Sequence, residues 1–471
     1  MFAAIAAASA AFAAPMLIPA PREMSVTGGR VALAAADAPK VEVVASIPPE
    51  GYELSITGNA VTIRHSDGAG LFYAKATLAQ LRADATDATL PCLEIKDAPA
   101  FRWRGVMLDE GRHFFGKAVV RKLLERMAQY KFNVFHWHLT DNEGWRIEIP
   151  EFPELTKRGN RREGRCESEV PLFYTERDIK EMIDFAKARH ITVVPEIDFP
   201  GHFGAALRAY PHLACGTGRK NVMCLGNPEA VALAEKVLDR VCELFPGEVV
   251  HIGGDECPVS NWAKCPKCRA LMEREGIGDL HGLQPWLTRR LAAHLKTKGR
   301  RMTGWDEIAV GPKKRGKAAI VSPTVDLPPD VLVMGRWQDA EAAIAASGRD
   351  VVRCTYRYCY FDYPQGLAED PFPYFCKIQT PLAKTYAYDP LADVPPEHRS
   401  RVLGGECCSW TEKTVNPTML EWKMWPRTLA LAEILWSYPD PAKRDFKEFC
   451  ERAAAHRRRL IRNHVNCAPL K

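Results

Sequence analysis

Short apolar segments alternate with segments of helical periodicity along the chain after residue 100. This alternation is typical of a parallel α/β architecture, in which buried strands read as nearly continuous apolar runs. Eight segments are predicted to be strands: residues 105–108, 133–139, 192–197, 249–253, 301–305, 331–337, 352–358 and 402–406. Eight is the number of strands that closes a (β/α)8 barrel.

Helices are predicted between most of these strands. Residues 117–129, 175–189 and 228–244 repeat apolar side chains with the period of an amphipathic helix. Residues 310–317 are rich in glycine and lysine, so no full helix is expected there.

The pattern differs on both sides of the barrel region. Residues 40–44 and 60–64 alternate between apolar and polar positions, and a helical stretch follows at 71–81. We therefore predict an α/β fold in which a small α+β domain, residues 15–100, precedes a (β/α)8 TIM barrel, residues 101–437. Residues 438–471 are expected to form a C-terminal helical extension packed on the outside.

Composition narrows the possible partners. The 471 residues are 46% hydrophobic and 26% charged, which suffices for a large core. The formal net charge of +6 is spread among residues of both signs, so no nucleic-acid partner is expected. No apolar stretch of about 20 residues is present, so no membrane span is predicted.

The first 14 residues resemble a signal segment. They are rich in alanine, and Ala11-Phe12-Ala13 matches the small-x-small pattern that precedes signal cleavage. The usual positive charge is absent, so the alternatives are a true start that lies upstream and a segment that is merely an alanine-rich lead-in. We expect a periplasmic or secreted protein.

The number of cysteines, 15, is odd, so at least one thiol is unpaired or engaged between chains if the others are oxidised, and cysteine usage does not identify the compartment. A disulfide between Cys215 and Cys224 would staple the short loop between them. Cys257, Cys265 and Cys268 could form a disulfide, remain free or supply three ligands of a structural zinc, for which the sequence identifies no fourth ligand.

Two adjacent carboxylates follow the fourth predicted strand, in His251-Ile252-Gly253-Gly254-Asp255-Glu256. Active sites of β/α barrels lie at this end of the strands. Successive side chains of a strand point to opposite faces, so Asp255 and Glu256 can serve one substrate only if the chain turns at the glycines.

Aromatic and charged side chains also follow the other strands. A sugar has apolar C–H faces and a periphery of hydroxyls, so its pocket needs aromatic walls and a few charged groups. Candidates for the walls are Trp305, Trp337 and Trp410, although any single tryptophan could equally belong to the core.

Seven ordered motifs resemble those of family 20 glycoside hydrolases, the β-N-acetylhexosaminidases. With the small leading domain, they cover roughly residues 15–436. The matching stretches are residues 103–109 with 112–114, 136–141, 195–198 with 200–202, 251–256, 304–307, 360–362, and 404–406 with 410–412.

The resemblance implies a retaining mechanism in which the 2-acetamido oxygen of the substrate is the nucleophile. Glu256 would be the general acid and base, Asp255 would orient the acetamido N–H and stabilise the oxazolinium-like intermediate, and Tyr360 would hold the acetamido oxygen. The three tryptophans would surround that group and the sugar. Sugar hydroxyls would bind to Arg104, Asp362 and Glu412, while Asp141 and His202 would tune the acid.

The resemblance further implies an exo-acting β-N-acetylhexosaminidase that removes terminal GlcNAc or GalNAc from an oligosaccharide or glycoconjugate, with no metal or organic cofactor. The sequence departs from the residues usual in the family at three places, Glu110-Gly111, Asn142-Glu143 and Cys407-Cys408-Ser409. These departures concern substrate preference and leaving-group contacts more than the reaction. The alternatives are release of a disaccharide or a modified GlcNAc, a catalytically silent sugar-binding barrel, and a double-displacement glycosidase with an enzyme nucleophile. Oligomeric state and the choice of epimer have no signal in the sequence.

Overall fold

The computed structural model describes residues 15–85, 87–160, 172–216, 221–310, 326–366, 370–372 and 377–470. The signal-like residues 1–14 and nearly all of the weakly helical interval 310–317 lie outside these ranges. The chain forms two compact units: Met1–Ala100 with Trp436–Arg459, and Phe101–Leu435 with Leu460–Lys471.

The first unit contains a five-stranded sheet with the order β1-β5-β3-β4-β2. Its elements are β1 Glu23–Ala32, β2 Lys40–Val43, β3 Tyr52–Ile56, β4 Val61–His65, α1 Gly68–Ala83 and β5 Thr89–Asp97. Strand β4 falls on the segment 60–64, whose alternation was predicted, and Val61, Ile63 and His65 are buried while Thr62 and Arg64 are more exposed. Helix α1 begins after Asp67, whose carboxylate accepts the Gly70 N–H at 2.8 Å.

The second unit is a closed barrel of eight parallel strands, as predicted. The strands are β6 Trp103–Asp109, β7 Val134–His138, β8 Thr192–Glu196, β9 Val249–His251, β10 Arg301–Trp305, β11 Leu332–Gly335, β12 Val351–Arg353 and β13 Val402–Ser409. Apolar side chains from these strands, including Met107, Val194 and Met334, fill the interior.

Helices follow most of the strands. They are α2 Lys117–Gln129, α3 Glu154–Lys157, α4 Glu176–Lys187, α5 Gly204–Ala209, α6 Pro228–Leu244, α7 Ser260–Ala263, α8 Pro266–Glu275, α9 Leu283–Thr297, α10 Gln338–Ala346, α11 Tyr356–Cys359, α12 Leu382–Tyr386, α13 Pro417–Met424, α14 Arg427–Trp436 and α15 Phe446–Arg462. Short 3-10 turns occupy Leu33–Ala36, Pro211–Leu213, Leu280–Gly282, Asp306–Ile308, Pro396–Arg401 and Pro441–Lys443. No helix in the described ranges is long and apolar enough to cross a bilayer.

Strand ends differ from the sequence-based prediction where the chain turns early. The segment predicted as a strand over 352–358 ends at Arg353, and helix α11 begins at Tyr356. Alternating aromatic residues in this stretch have the period of a strand, but the chain has already left the barrel. This early turn brings Tyr360 to the end of the barrel where β9 delivers Asp255.

The C-terminal helix α15 belongs mostly to the first unit. Within that unit, the Arg452 guanidinium donates to the Leu17 carbonyl at 2.9 Å, and the Trp436 indole N–H donates to Asp97 at 2.9 Å. Its amphipathic pattern predicts a packed helix without identifying the surface that receives it.

Candidate active site

A pocket opens where the barrel strands end at their carboxyl termini. It is lined by Arg112, Asp255, Glu256, Arg336, Tyr360, Asp362, Tyr363, Trp410 and Glu412. In a parallel barrel the loops after all eight strands meet at this end, which explains how residues so distant in sequence line one pocket.

The turn that separates the two carboxylates lies directly after β9. Gly253 and Gly254 have φ values of 67° and 93°, and Glu256 also has a positive φ of 49°. The chain therefore turns at the glycines, and Asp255 is buried while the Glu256 side chain is 67% exposed. A non-glycine residue in this region of φ is strained, which is common at functional sites.

Replacing Gly253 by Ala is expected to impair both folding and activity. A Cβ there would lie 1.9 Å from Asp198 Oδ1, and the positive φ disfavours any side chain. We expect destabilisation of about 1–3 kcal/mol, measured by urea denaturation, with a loss of activity below the melting temperature. The matched control is Gly278→Ala, where a Cβ meets nothing within 4 Å. A Gly253→Ala variant as stable and active as the control would contradict this account of the turn.

Arg336, which directly follows strand β11, holds Asp255. Its Nη1 donates to Asp255 Oδ2 at 3.0 Å, and its Nη2 donates to Glu307 Oε1. Glu307 in turn accepts the backbone N–H of Glu256 at 2.6 Å through Oε2. One arginine and one glutamate thereby fix the side chain of the first carboxylate and the backbone of the second.

His202 and Asp141 lie beside this pair, as predicted. His202 Nδ1 is 3.1 Å from Asp141 Oδ1, and its Nε2 is 3.8 Å from Asp255 Oδ2 and 3.7 Å from Glu256 Oε2. Burial alone would lower the pKa of His202, but the charges of Asp141 and Asp255 raise that pKa to about 10. His202 is therefore a cation at neutral pH, and its Nε2 lies close to the carboxylates of both Asp255 and Glu256.

The predicted role of Arg104 is wrong. Arg104 stands near the beginning of β6, and its buried guanidinium donates to the carbonyls of Lys131 and Phe101, both at 2.8 Å. Arg112 lines the pocket instead, 2.9 Å from Asp141 Oδ2 and 3.7 Å from Glu412 Oε1. An arginine at the start of a barrel strand cannot reach a site at the end of that strand.

The Tyr360 hydroxyl is buried, and it has no hydrogen-bond partner among the described residues. Burial raises the pKa of Tyr360, so the hydroxyl keeps its proton and can donate it to a ligand. The ring lies 6.1 Å from that of Trp410, which also lines the pocket. A buried donor without a partner beside an aromatic wall suits a small polar acceptor such as an amide oxygen.

The other two predicted walls are placed differently. Trp305 is fully buried beneath Trp410, with ring centroids 5.6 Å apart, and its indole donates to Glu196 at 2.8 Å. Trp337 is 37% exposed and packs on Tyr356 with ring centroids 4.8 Å apart. Trp410 lines the pocket, whereas Trp305 and Trp337 are not among the residues that line it, and the role of these two as walls stays a prediction.

Asp362 and Glu412 share the remaining side of the pocket. Burial and the charge of Glu412 raise the pKa of Asp362 to about 8. Asp362 Oδ1 and Glu412 Oε2 are buried without hydrogen-bond partners in the described structure. Such oxygens accept hydrogen bonds from sugar hydroxyls without displacing a protein contact.

Asp362 should make stability depend on pH in the opposite sense to an ordinary salt-bridged carboxylate. Because its pKa is higher in the folded than in the unfolded protein, its protonation stabilises the folded state at low pH, and that contribution is lost as the pH rises to about 8. Between about pH 5 and pH 8, Asp362→Asn should therefore gain about 1.4 kcal/mol relative to wild type for each unit of pH. Urea denaturation of both proteins across this range measures the difference, and a constant difference would contradict the prediction.

A buried network of ions supports the floor of the pocket. His138 contacts Asp109 Oδ1 and Asp198 Oδ2, both at 2.9 Å, and Asp109 also accepts the Thr411 N–H at 2.9 Å. The charges of Glu196, Asp198 and Asp109 raise the pKa of His138 despite its burial. Glu196 on β8 likewise lies 2.9 Å from His136 Nε2 on β7 and 2.9 Å from His251 Nδ1 on β9, so one carboxylate links three strand ends.

The sequence contained only weak signals for the residues that were missed. Arg112 occurs in one of the matching motifs, whose resemblance implies no role for it, and Arg336 directly precedes Trp337. Position at the end of a strand was the usable signal for both.

A carboxylate-rich pocket with an aromatic wall, at the carboxyl end of a (β/α)8 barrel, defines the class of carbohydrate-active barrel proteins. The model of the glycosyl hydrolase family 20 catalytic domain matches residues 101–439, and that of family 20 domain 2 matches residues 23–98. The chain belongs to glycosyl hydrolase family 20.

Similar proteins are known from several bacteria. A beta-hexosaminidase of Porphyromonas gingivalis is 36% identical over 88% of this chain, and one of Vibrio furnissii is 38% identical over 81%. The matches span 54% and 64% of those two proteins, so this chain corresponds to only part of their length.

Solved structures agree on the fold. The GH20 exo beta-N-acetylglucosaminidase from Vibrio harveyi, in complex with N-acetylglucosamine, superposes with a TM-score of 0.86 at 31% identity, covering 97% of this chain and 78% of that one. The beta-N-acetylhexosaminidase from Bacteroides fragilis gives 0.83 at 29% identity, covering 96% and 97%.

Proposed function

We propose that this protein is an exo-acting β-N-acetylhexosaminidase that removes terminal β-linked GlcNAc or GalNAc by a retaining, substrate-assisted mechanism. The observation that carries the proposal is the joint placement of Asp255, Glu256 and the unpartnered Tyr360 hydroxyl in one pocket. An acetamido group offers one N–H and one carbonyl oxygen, and this pocket offers a carboxylate and a hydroxyl donor to match them.

In the first step, the acetamido oxygen attacks C1 while the bond from C1 to the leaving oxygen breaks. Glu256 transfers its proton to the leaving oxygen. Arg336 holds Oδ2 of Asp255, which leaves Oδ1 to accept the acetamido N–H. The negative charge of Asp255 then opposes the positive charge that develops on the oxazolinium ion.

In the second step, the Glu256 carboxylate takes a proton from water, whose oxygen attacks C1 and opens the oxazolinium ring. The β-configuration is retained because two inversions occur at C1. Holding the acetamido group in the attacking geometry supplies the advantage of an intramolecular reaction.

Two carboxylates near Asp255 and Glu256 are poorly suited to act as an enzyme nucleophile. Asp362 has a pKa of about 8 and is mainly protonated at neutral pH. Glu307 accepts hydrogen bonds from Arg336 and from the Glu256 backbone through its two oxygens. A free, ionised carboxylate is what double displacement requires.

Hydrolysis of aryl β-N-acetylglucosaminide, aryl β-N-acetylgalactosaminide and aryl β-glucoside tests the proposal. We expect cleavage of N-acetylated substrates only, and the two rates define the epimer preference. Cleavage of the β-glucoside would favour an enzyme nucleophile. Binding of N-acetylhexosamine without turnover at any pH would instead favour a silent sugar-binding barrel.

Export to the periplasm or the medium belongs to the same proposal, supported by the alanine-rich segment that contains Ala11-Phe12-Ala13. Assaying hexosaminidase activity in cytoplasmic, periplasmic and culture fractions tests it. Activity confined to the cytoplasm would contradict it.

A further inference from the structure

Four cysteines form a compact cluster, which we call the thiol cluster: Cys215, Cys224, Cys265 and Cys268. All four side chains are buried. The sulfur atoms of Cys215 and Cys268 are 3.6 Å apart, those of Cys224 and Cys265 are 3.6 Å apart, and those of Cys224 and Cys268 are 3.7 Å apart. All four sulfurs lie within 4.8 Å of one another.

These distances match a tetrahedral metal site. Zinc binds thiolate sulfur at about 2.3 Å, and a tetrahedron of that radius has sulfur-to-sulfur edges of about 3.8 Å. A disulfide needs about 2.05 Å and joins sulfurs in exclusive pairs. Cys224 is instead nearly equidistant from Cys265 and Cys268, and none of the four forms a disulfide. The structure forms no disulfide between Cys215 and Cys224, the staple that the sequence had offered as a possibility.

The backbone around the thiol cluster is built for close approach. Cys265 occupies the N-cap position of helix α8, and Cys268 lies in the first turn of that helix. The N-terminus of a helix favours the thiolate form of a cysteine. A Cβ on Gly226 would lie 2.2 Å from the Lys267 carbonyl oxygen and 2.4 Å from the Cys268 nitrogen, so only glycine fits there. The backbone N–H of Asn227 donates to the Cys224 carbonyl oxygen at 3.0 Å and holds the turn after Cys224.

We propose that the thiol cluster binds one Zn²⁺ ion as a structural site. The sequence had offered Cys257, Cys265 and Cys268 without a fourth ligand. The structure leaves Cys257 outside the cluster and supplies Cys215 and Cys224 in its place. Four thiolate ligands complete a tetrahedral coordination, so no position remains for water or substrate. Binding releases the protons of the thiols, and Zn²⁺ takes their place.

The site joins two loops that carry active-site residues. The loop after β8 bears His202 before it reaches Cys215 and Cys224, and the loop after β9 bears Asp255 and Glu256 before it reaches Cys265. The same loops also meet where the Trp262 indole donates to the Met223 carbonyl at 3.0 Å. A bound zinc would therefore fix the loop of the acid relative to the loop of its histidine neighbour.

Metal analysis of the purified full chain tests the proposal. We expect about one zinc per chain after dialysis. Cys268→Ser should lose this zinc, whereas Cys257→Ser and Cys450→Ser, which alter cysteines outside the cluster, should keep it. Thermal unfolding should show a lower melting temperature for Cys268→Ser than for either control, because structural zinc contributes directly to folding free energy.

A second measurement keeps the test independent of how the variants fold. Wild-type protein that is unfolded, reduced and refolded with Co²⁺ should show the intense visible absorption of tetrahedral cobalt thiolate. In the zinc-bound wild-type protein, the four thiols of the cluster should resist alkylation until a chelator removes the metal. Three results for the wild-type protein would overturn the proposal: no stoichiometric metal together with four reactive cluster thiols, disulfides within the cluster, or iron in place of zinc. A full zinc content in Cys268→Ser would also overturn it. None of these readouts depends on hydrolase activity, so failure of the zinc proposal remains distinct from failure of the proposed function.

Discussion

Replacing Glu256 by Gln is expected to lower kcat on N,N′-diacetylchitobiose by about 10²–10⁴, the usual contribution of a general acid and base. The amide cannot give a proton to the leaving sugar oxygen or take one from water. Glu256 is the carboxylate that the turn after β9 exposes to the pocket opening, with His202 at 3.7 Å. The loss should be smaller on a dinitrophenyl glycoside, whose leaving group needs no proton.

Azide provides a sharper test of this role, because it attacks the oxazolinium ion without a base. Azide should therefore raise the rate of Glu256→Gln on the activated substrate and yield a β-glycosyl azide. Glu243→Gln, on the exposed surface of α6, is the matched control and should behave as wild type. Equal losses on both substrates and no rescue by azide would contradict the assignment.

Replacing Asp255 by Asn is expected to lower kcat by about 10²–10³, comparable with loss of one preorganised charge-stabilising group. Asparagine has no charge to oppose the oxazolinium ion, and it also removes the ionic partner 3.0 Å from Arg336. The uncompensated arginine should disturb Glu307 and, through it, the backbone of Glu256. We therefore expect kcat to fall more than KM rises.

Asp184→Asn, on the exposed surface of α4, is the control for this substitution. Circular dichroism and thermal unfolding should show that Asp255→Asn is folded before rates are compared. A variant that retains more than about a tenth of the wild-type kcat on the N-acetylated substrate would show that Asp255 has no part in stabilising the intermediate.

Most of the barrel could be predicted because each parallel strand is buried on both faces, and its sequence is then a short apolar run. Helices α2 and α6 were predicted to the residue, since their amphipathic stripes are continuous. The surface that receives α15 could not be predicted, because an apolar stripe does not identify its partner.

A residue of the site could be predicted where it directly follows a strand. It could not be predicted where its role depends on contacts with residues distant in sequence. Asp255, Glu256, Tyr360 and Trp410 reach the pocket as the motifs indicated. Arg104 and Arg112 lie only eight positions apart, and which end of β6 each occupies separates a structural arginine from a pocket arginine. The partnership of Arg336 with Asp255 arises only when β9 and β11 close into one barrel.

The cysteine pairing shows the same limit. Cys224 and Cys265 are 41 residues apart, and Cys215 and Cys268 are 53 apart. A Cys-x-x-Cys motif identifies two ligands by spacing, but the other two depend on which loops the barrel brings together. The structure therefore replaced Cys257 in the predicted set.

The central claim, that the acetamido oxygen is the nucleophile, is tested most directly by hydrolysis of a series of aryl β-glucosaminides. The N-acyl group is acetyl, fluoroacetyl, difluoroacetyl or trifluoroacetyl, and each fluorine makes the carbonyl oxygen a weaker nucleophile. The account predicts that kcat falls steeply with each fluorine. A kcat that does not change across the series would contradict it, because the acyl oxygen would then take no part in the step that breaks the glycosidic bond.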